Sequence, residues 1–186
     1  MLLYEDKIKT NREAFVAKVI SISQALGIEP EWLMQVFMNE SGMNHQAVNK
    51  QAGDSDDAYT RTATRATGLI QFMPATARAL GTSTQALYNM SNIQQLDYVF
   101  KYLKPYANKM LSYIDVYFTV FFPMAVGKPD NWVFQSDTLS AGKIALQNAG
   151  FDLNKDSILT VAEVRTAMLK KVPAAWQAFF LKKKGQ

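Results

Sequence analysis

The chain has 186 residues, 48% of them hydrophobic, no cysteine, and a formal net charge of +4 from 20 Lys and Arg against 16 Asp and Glu. That length suits one substantial domain with a small appendage, or two small ones, and the apolar fraction is that of a globular chain with a real core. The lack of cysteine excludes disulfides, thiol catalysis and Cys-ligated zinc, while the positive balance suits anionic partners such as cell-wall polymers, lipopolysaccharide or nucleic acid without selecting one.

The opening MLLYEDKIKTNRE meets charge too early for the apolar stretch of a signal peptide, so none is expected. Thr10-x-x-Glu13 predicts a capping box, then a helix with Phe15, Val19, Ile22 and Leu26 on one face and a stop at Gly27. A second helix is predicted from Pro30, a favoured first-turn residue, to a stop at Gly42. Trp32, Val36 and Glu40 lie four apart, which sets an acid on the same face as two apolar side chains. A carboxyl on a buried face holds its proton to higher pH, and the negative end of the helix dipole acts in the same direction. A carboxyl still protonated near neutral pH is what a general acid needs.

Residues 45–66 carry few large apolar groups and read as a loop lying over a cleft. Asp54, Asp56 and Asp57 in this loop are candidates for a second carboxylate, and His45 reads as a surface residue. Next, Gly68-Leu69-Ile70-Gln71-Phe72-Met73-Pro74 sets one Gln in an apolar run before Pro74 opens a short helix that ends ahead of Gly81.

Together, E-S-x-x-N at residues 40–44 and A-x-G-L-I-Q-F-M-P-x-T-A at residues 66–77 resemble the signature of soluble-type lytic transglycosylases, relatives of goose-type lysozyme. The resemblance implies a mostly α, lysozyme-like domain acting on peptidoglycan. The bond cut would be the β-1,4 link between N-acetylmuramic acid and N-acetylglucosamine, leaving a 1,6-anhydro-muramyl end. It makes Glu40 the sole acid/base, with Ser41 supporting the reacting sugar and Gln71 lining the saccharide cleft. Asn44 and Phe72, in the same motifs, are further candidates for substrate contact. Met43 stands where the family often has an aromatic, Ile70 replaces the usual Met, and residues 49–65 form a longer, more polar insertion than the family pattern has. A muramidase of the same fold and a non-catalytic glycan-binding or phage structural module remain alternatives, as does chitin for the substrate.

Further along, Thr84 to Met90 predicts a short helix. Ser91-x-x-Gln94 caps a longer one with Ile93, Leu96, Phe100 and Leu103 on one face and Pro105 at its end. Residues 112–123 are rich in aromatics and have strand propensity, but their helical neighbours and the resemblance favour a buried helix. The resemblance further implies a tyrosine facing the acid from this helix, with Tyr117 as the counterpart and Tyr113 in reserve. Residues 127–131 read as a turn.

From Asp152 the chain reads DLNKDSILTVAE, the pattern of the twelve-residue EF-hand calcium loop. Asp152, Asn154 and Asp156 occupy positions 1, 3 and 5, and Ile158 offers a backbone carbonyl at 7. Thr160 stands at 9 and Glu163 is the bidentate acid at 12. Ser157 departs from the pattern, since Gly makes the sharp turn there. A helix-loop-helix that keeps the shape without metal is the alternative reading, and a bound calcium would act as a structural staple. The expected organisation is a lysozyme-like domain over residues 1–135 and an EF-hand-like segment over 136–186, packed back through Trp176, Phe179 and Phe180. Lys182, Lys183 and Lys184 read as a solvated tail. Transglycosylase and calcium-like loop in one chain also resemble phage-encoded wall-degrading proteins such as endolysins. The expected partner is a peptidoglycan glycan strand, reached by delivery from outside the chain's own sequence. No nucleic acid, no transmembrane segment and a monomeric state are expected.

Overall fold

The fold, a computed structural model, describes residues 1–183, so Lys184 of the lysine tail lies outside the described residues. It is mostly helical, and among the described residues β structure is confined to isolated bridges. Two compact units divide the chain, Met1–Asn108 and Lys109–Gln186. The division therefore falls ahead of the aromatic helix and not at residue 135. The reason is local: the rings of that helix pack on rings from residues 122–151, which keeps them in one unit.

In the first unit, α1 (Arg12–Leu26) packs against α2 (Pro30–Ser41) and α6 (Asn92–Leu103). Phe15 of α1 meets Phe37 of α2 edge-on at 5.9 Å, both out of solvent. The expected capping box at Thr10 does not form. Asn11 is the N-cap instead, in the left-handed region at φ 54° with no side-chain cap. A tertiary contact overrides the local signal: Asn11 Nδ2 donates to Asn92 Oδ1, and Asn92 Nδ2 donates to the Thr10 carbonyl. The box expected at Ser91 does form, with both reciprocal bonds to Gln94. The buried face of α6 is Asn92, Gln95, Leu96, Val99 and Leu103, so it is rotated from the Ile93 and Phe100 stripe. Three short helices lie between α2 and α6: α3 (Ala58–Arg61), α4 (Pro74–Ala79) and α5 (Thr84–Asn89).

The second unit begins at α7 (Tyr113–Phe121), the aromatic helix, capped by Ser112 accepting from the Asp115 N–H. It is a helix despite its β-branched and aromatic content because it is buried nearly all round. Phe134, with no exposure, sits among Phe118, Phe121, Phe122 and Trp132 at centroid distances of 5.4 to 5.7 Å. Beyond it, α8 (Ala141–Gln147) and α9 (Val161–Lys170) flank the 152–163 loop. The short α10 (Gln177–Phe180) brings Phe180 onto Tyr113 at 4.9 Å, while Trp176 and Phe179 meet each other.

Candidate functional site

Glu40 lies in the last turn of α2, half-buried, one turn beyond Val36 and two beyond Trp32, which are 0% and 1% exposed. The helix stops abruptly after it. Gly42 and Met43 are both left-handed, at φ 59° and 67°, and their N–H groups return to the carbonyls of Met38 and Phe37. Left-handed backbone suits Gly42 but strains Met43 by about 1–2 kcal/mol, a cost met by burying its side chain to 7% exposure. A buried polar chain runs along the same helix: Tyr4 Oη donates to Gln35 Oε1 at 3.0 Å, and Gln35 Nε2 donates to Asn39 Oδ1 at 3.1 Å. Burial, more than the bond to Gln35, pushes the Tyr4 hydroxyl above its ordinary pKa.

Past the motif the chain turns into contact with the Gly-Leu-Ile-Gln segment. The Gly68 N–H donates to the Ala47 carbonyl at 2.8 Å, and Asn49 N–H donates to Ala66. Thr67 and Phe72 exchange two backbone bonds, closing a tight turn over residues 68–71 in which Gln71 is left-handed at φ 53°. Gln71 Nε2 donates to the carbonyls of Ala47 and Gly68, at 3.2 and 3.1 Å, so its amide ties the turn to the segment that leaves Glu40. The two motifs read from the sequence are thereby brought together.

The other expected contacts divide. Ser41 is half-buried and its hydroxyl donates to the Phe37 carbonyl at 3.0 Å. Asn44 is exposed and accepts from the Gln46 N–H at 3.0 Å, a local turn. Phe72 is 2% exposed and meets Tyr102 edge-on at 6.2 Å, so its ring is core and offers no open platform to a sugar. Burial first, then Tyr106, pushes Tyr102 up to about 12. Tyr117, in the second unit, is 4% exposed and stacks on Phe121 at 5.5 Å. His45 is half-buried rather than on the open surface, and burial lowers its pKa, leaving the ring neutral at neutral pH.

The acids of residues 45–66 each hold structure. Asp54 takes two bonds from Arg65, at 2.7 and 2.8 Å, and one from the Gln51 N–H, which keep its carboxyl below the usual range. Asp57 caps α3 through Thr60, whose hydroxyl and N–H likewise lower its pKa. Asp56 pairs with Lys50 at the surface. Each of the three is thus committed to a local partner, Arg65, Lys50 or the start of α3.

One residue of this site escaped sequence reasoning. Gln95, fully buried on α6, accepts from the Leu69 N–H and donates to the carbonyls of His45 and Leu87. The signal was a polar residue in register with Asn92 and Val99 on the inward face.

In the second unit residues 152–163 run between α8 and α9. Ser157 adopts φ 64° where Gly was expected, and Leu159 is fully buried. Asp152 accepts from the N–H groups of Asp156 and Ser157, Asn154 from that of Asp156, and Asp156 from that of Ile158. Glu163 Oε2 accepts from the Thr160 N–H and hydroxyl, completing a capping box on α9. With the acids turned onto backbone, no three His, Cys, Asp or Glu side chains among the described residues stand together as a metal cage. Glu163 Oε1, however, is buried with no hydrogen-bond partner. Backbone bonds from Phe134 N–H to the Leu159 carbonyl and from Val161 N–H to the Trp132 carbonyl tie the loop to the aromatic cluster.

Among the described residues no helix is long and apolar enough to cross a membrane. Neither a curated protein nor a solved structure gives a match to this chain. The family model for the transglycosylase SLT domain matches residues 18–117, more than half of the 186 and inclusive of both motifs. With an acid at the end of a buried helix and the Gln71 turn bonded to the segment that follows it, the chain belongs to the SLT transglycosylase family, lytic enzymes of the glycosidase type that act on peptidoglycan.

Proposed function

We propose that Glu40 alone serves as acid and then base in cleaving the bond between N-acetylmuramic acid and N-acetylglucosamine. The carboxyl gives its proton to the bridging oxygen as the bond from muramyl C1 to that oxygen breaks. The muramyl 6-hydroxyl oxygen then bonds to C1 and its proton passes to the Glu40 carboxylate. The 1,6-anhydro ring is closed, no water is consumed, and the carboxyl is protonated again for the next cycle. The observation that carries this reading is the setting of Glu40, half-buried on a face that continues Trp32 and Val36, while Asp54, Asp56 and Asp57 are committed elsewhere. A hydrolase would need a base to position water. Mass spectrometry of products from purified peptidoglycan tests the proposal. Anhydro-muramyl ends are expected, and reducing muramic acid ends would overturn it.

The 152–163 loop is proposed to hold calcium through Asp152, Asn154, Asp156, the Ile158 carbonyl, Thr160 and Glu163. Two observations support the fit: the orphaned Glu163 Oε1, and Ser157 already in the conformation that the pattern reserves for Gly. When bound, the ion would supply charge neutralisation and loop closure, not chemistry on the glycan. At free calcium one hundred times Kd, binding stabilises the folded unit by about 2.7 kcal/mol. Calcium should therefore raise the melting temperature by several degrees, chelator should reverse it, and Glu163→Gln should abolish the shift. Melting that ignores calcium sinks the site.

A further inference from the structure

We infer that Gln95 is a positioning residue for the active site, holding the segment that leaves Glu40 against the turn that carries Gln71. This rests on the assignment of those two residues to the glycan site. Gln95 has no exposure, and its amide makes three bonds to three different segments. Oε1 accepts from the Leu69 N–H at 3.0 Å, inside the 68–71 turn. Nε2 donates to the His45 carbonyl at 2.6 Å, just past the Glu40 motif, and to the Leu87 carbonyl of α5 at 2.7 Å. Both donor hydrogens are used, and the one acceptor bond orients the amide, so the side chain has one hydrogen-bonded orientation.

The same two strips of chain are joined a second time by Gln71, through Ala47 and Gly68. Gln71 is half-buried and Gln95 fully buried, so one amide pins the strips from the solvent side and the other from the core side. Gly68 completes the device. A Cβ there would stand 2.5 Å from Gln95 Oε1, and φ is 87°, so the backbone can approach the amide only because Gly68 has no side chain. If Gln95 is lost, the buried Leu69 N–H and the half-buried His45 carbonyl lose this partner, while the Leu87 carbonyl keeps the Met90 N–H. Ala47 and Gly68 keep theirs, so the two strips stay joined but lose their register. Misplacement of a catalytic constellation by about 1 Å costs about a hundredfold in rate. The burden thus falls on turnover beyond what lost stability explains.

The test compares Gln95→Met, which keeps volume without the hydrogen bonds, with Val99→Ala. Val99 lies one turn along the same buried face and is fully buried, so its truncation destabilises without touching these bonds. Both are assayed well below their melting temperatures on purified peptidoglycan. Gln95→Met should lose at least about tenfold in kcat with a smaller change in KM, whereas Val99→Ala should keep near-normal turnover. Gln95→Glu, which retains the acceptor for Leu69, should recover activity as pH falls and its carboxyl gains a proton to donate. If the Met variant tracks Val99→Ala at matched loss of stability, the inference is overturned. Should neither Gln95 variant fold, NMR on the wild type decides. A soluble muropeptide oligomer should shift the Gln95 side-chain amide and the Leu69 N–H together, and no shift overturns the inference. A wild type that yields no product sinks the glycan reading itself. An active wild type with an active Gln95→Met sinks only the positioning role.

Discussion

Glu40→Gln should lower lytic turnover on purified peptidoglycan at least about a hundredfold, the low end of what a positioned general acid contributes. The substitution is isosteric and leaves a neutral amide, which can neither give the bridging oxygen a proton nor take one from the muramyl hydroxyl. Because Glu40 lies in the last helical turn and is half-buried, the fold tolerates the amide, and melting should shift by no more than a few degrees. Glycan strands should still bind, so the loss appears in kcat. Asp54→Asn, Asp56→Asn and Asp57→Asn provide the contrast. Asp54 answers to Arg65, Asp57 to the N-terminus of α3 and Asp56 to Lys50, so these variants should loosen residues 45–66 and leave chemistry nearly intact. An active Glu40→Gln enzyme would refute the assignment of the acid, and a dead Asp54→Asn enzyme with its fold intact would refute the single-carboxylate scheme.

What could be read from the sequence follows from how local each signal is. Gly27 and Gly42 end their helices in left-handed conformations, and Pro30 and Pro74 open theirs, because caps depend on one residue's backbone freedom. The Ser91 box formed for the same reason, whereas Thr10 lost its role to an amide contact with Asn92, distant in sequence. The two motifs are legible as a pair in the sequence, but not the route by which they meet, since Ala47 contributes only a carbonyl. Gln95 carries only one sequence signal, its register with Asn92 and Val99. A glutamine in a helical pattern reads as surface, and only the structure reveals that three backbone groups converge on it. Phe72 reads as a substrate contact because it stands in a functional motif, while its packing on Tyr102 is a tertiary fact. The boundary expected at 135 differs from the division after Asn108 because Phe134 is the centre of a ring cluster in space.

That cluster gives the largest expected loss of stability. Phe134→Ala should destabilise the unit Lys109–Gln186 by about 3–5 kcal/mol, since it removes a fully buried ring and leaves a cavity that its neighbours fill only in part. Phe118, Phe121, Phe122 and Trp132 each lose an edge contact, and Trp132, at 5.4 Å, is a built-in reporter. Denaturant titration followed by tryptophan emission should show the midpoint for this unit falling, while Phe179→Ala, at a half-buried position, should move it much less. The effect should extend beyond packing. The Phe134 N–H is bonded to the Leu159 carbonyl, and Leu159 lies between Ile158 and Thr160, both proposed to face calcium. Loosening the ring therefore loosens the loop, and calcium affinity should fall with stability even though Phe134 contributes no oxygen ligand. If affinity held while the midpoint dropped, the loop would be shaped by its own side-chain bonds alone, and its tie to the aromatic cluster would be incidental.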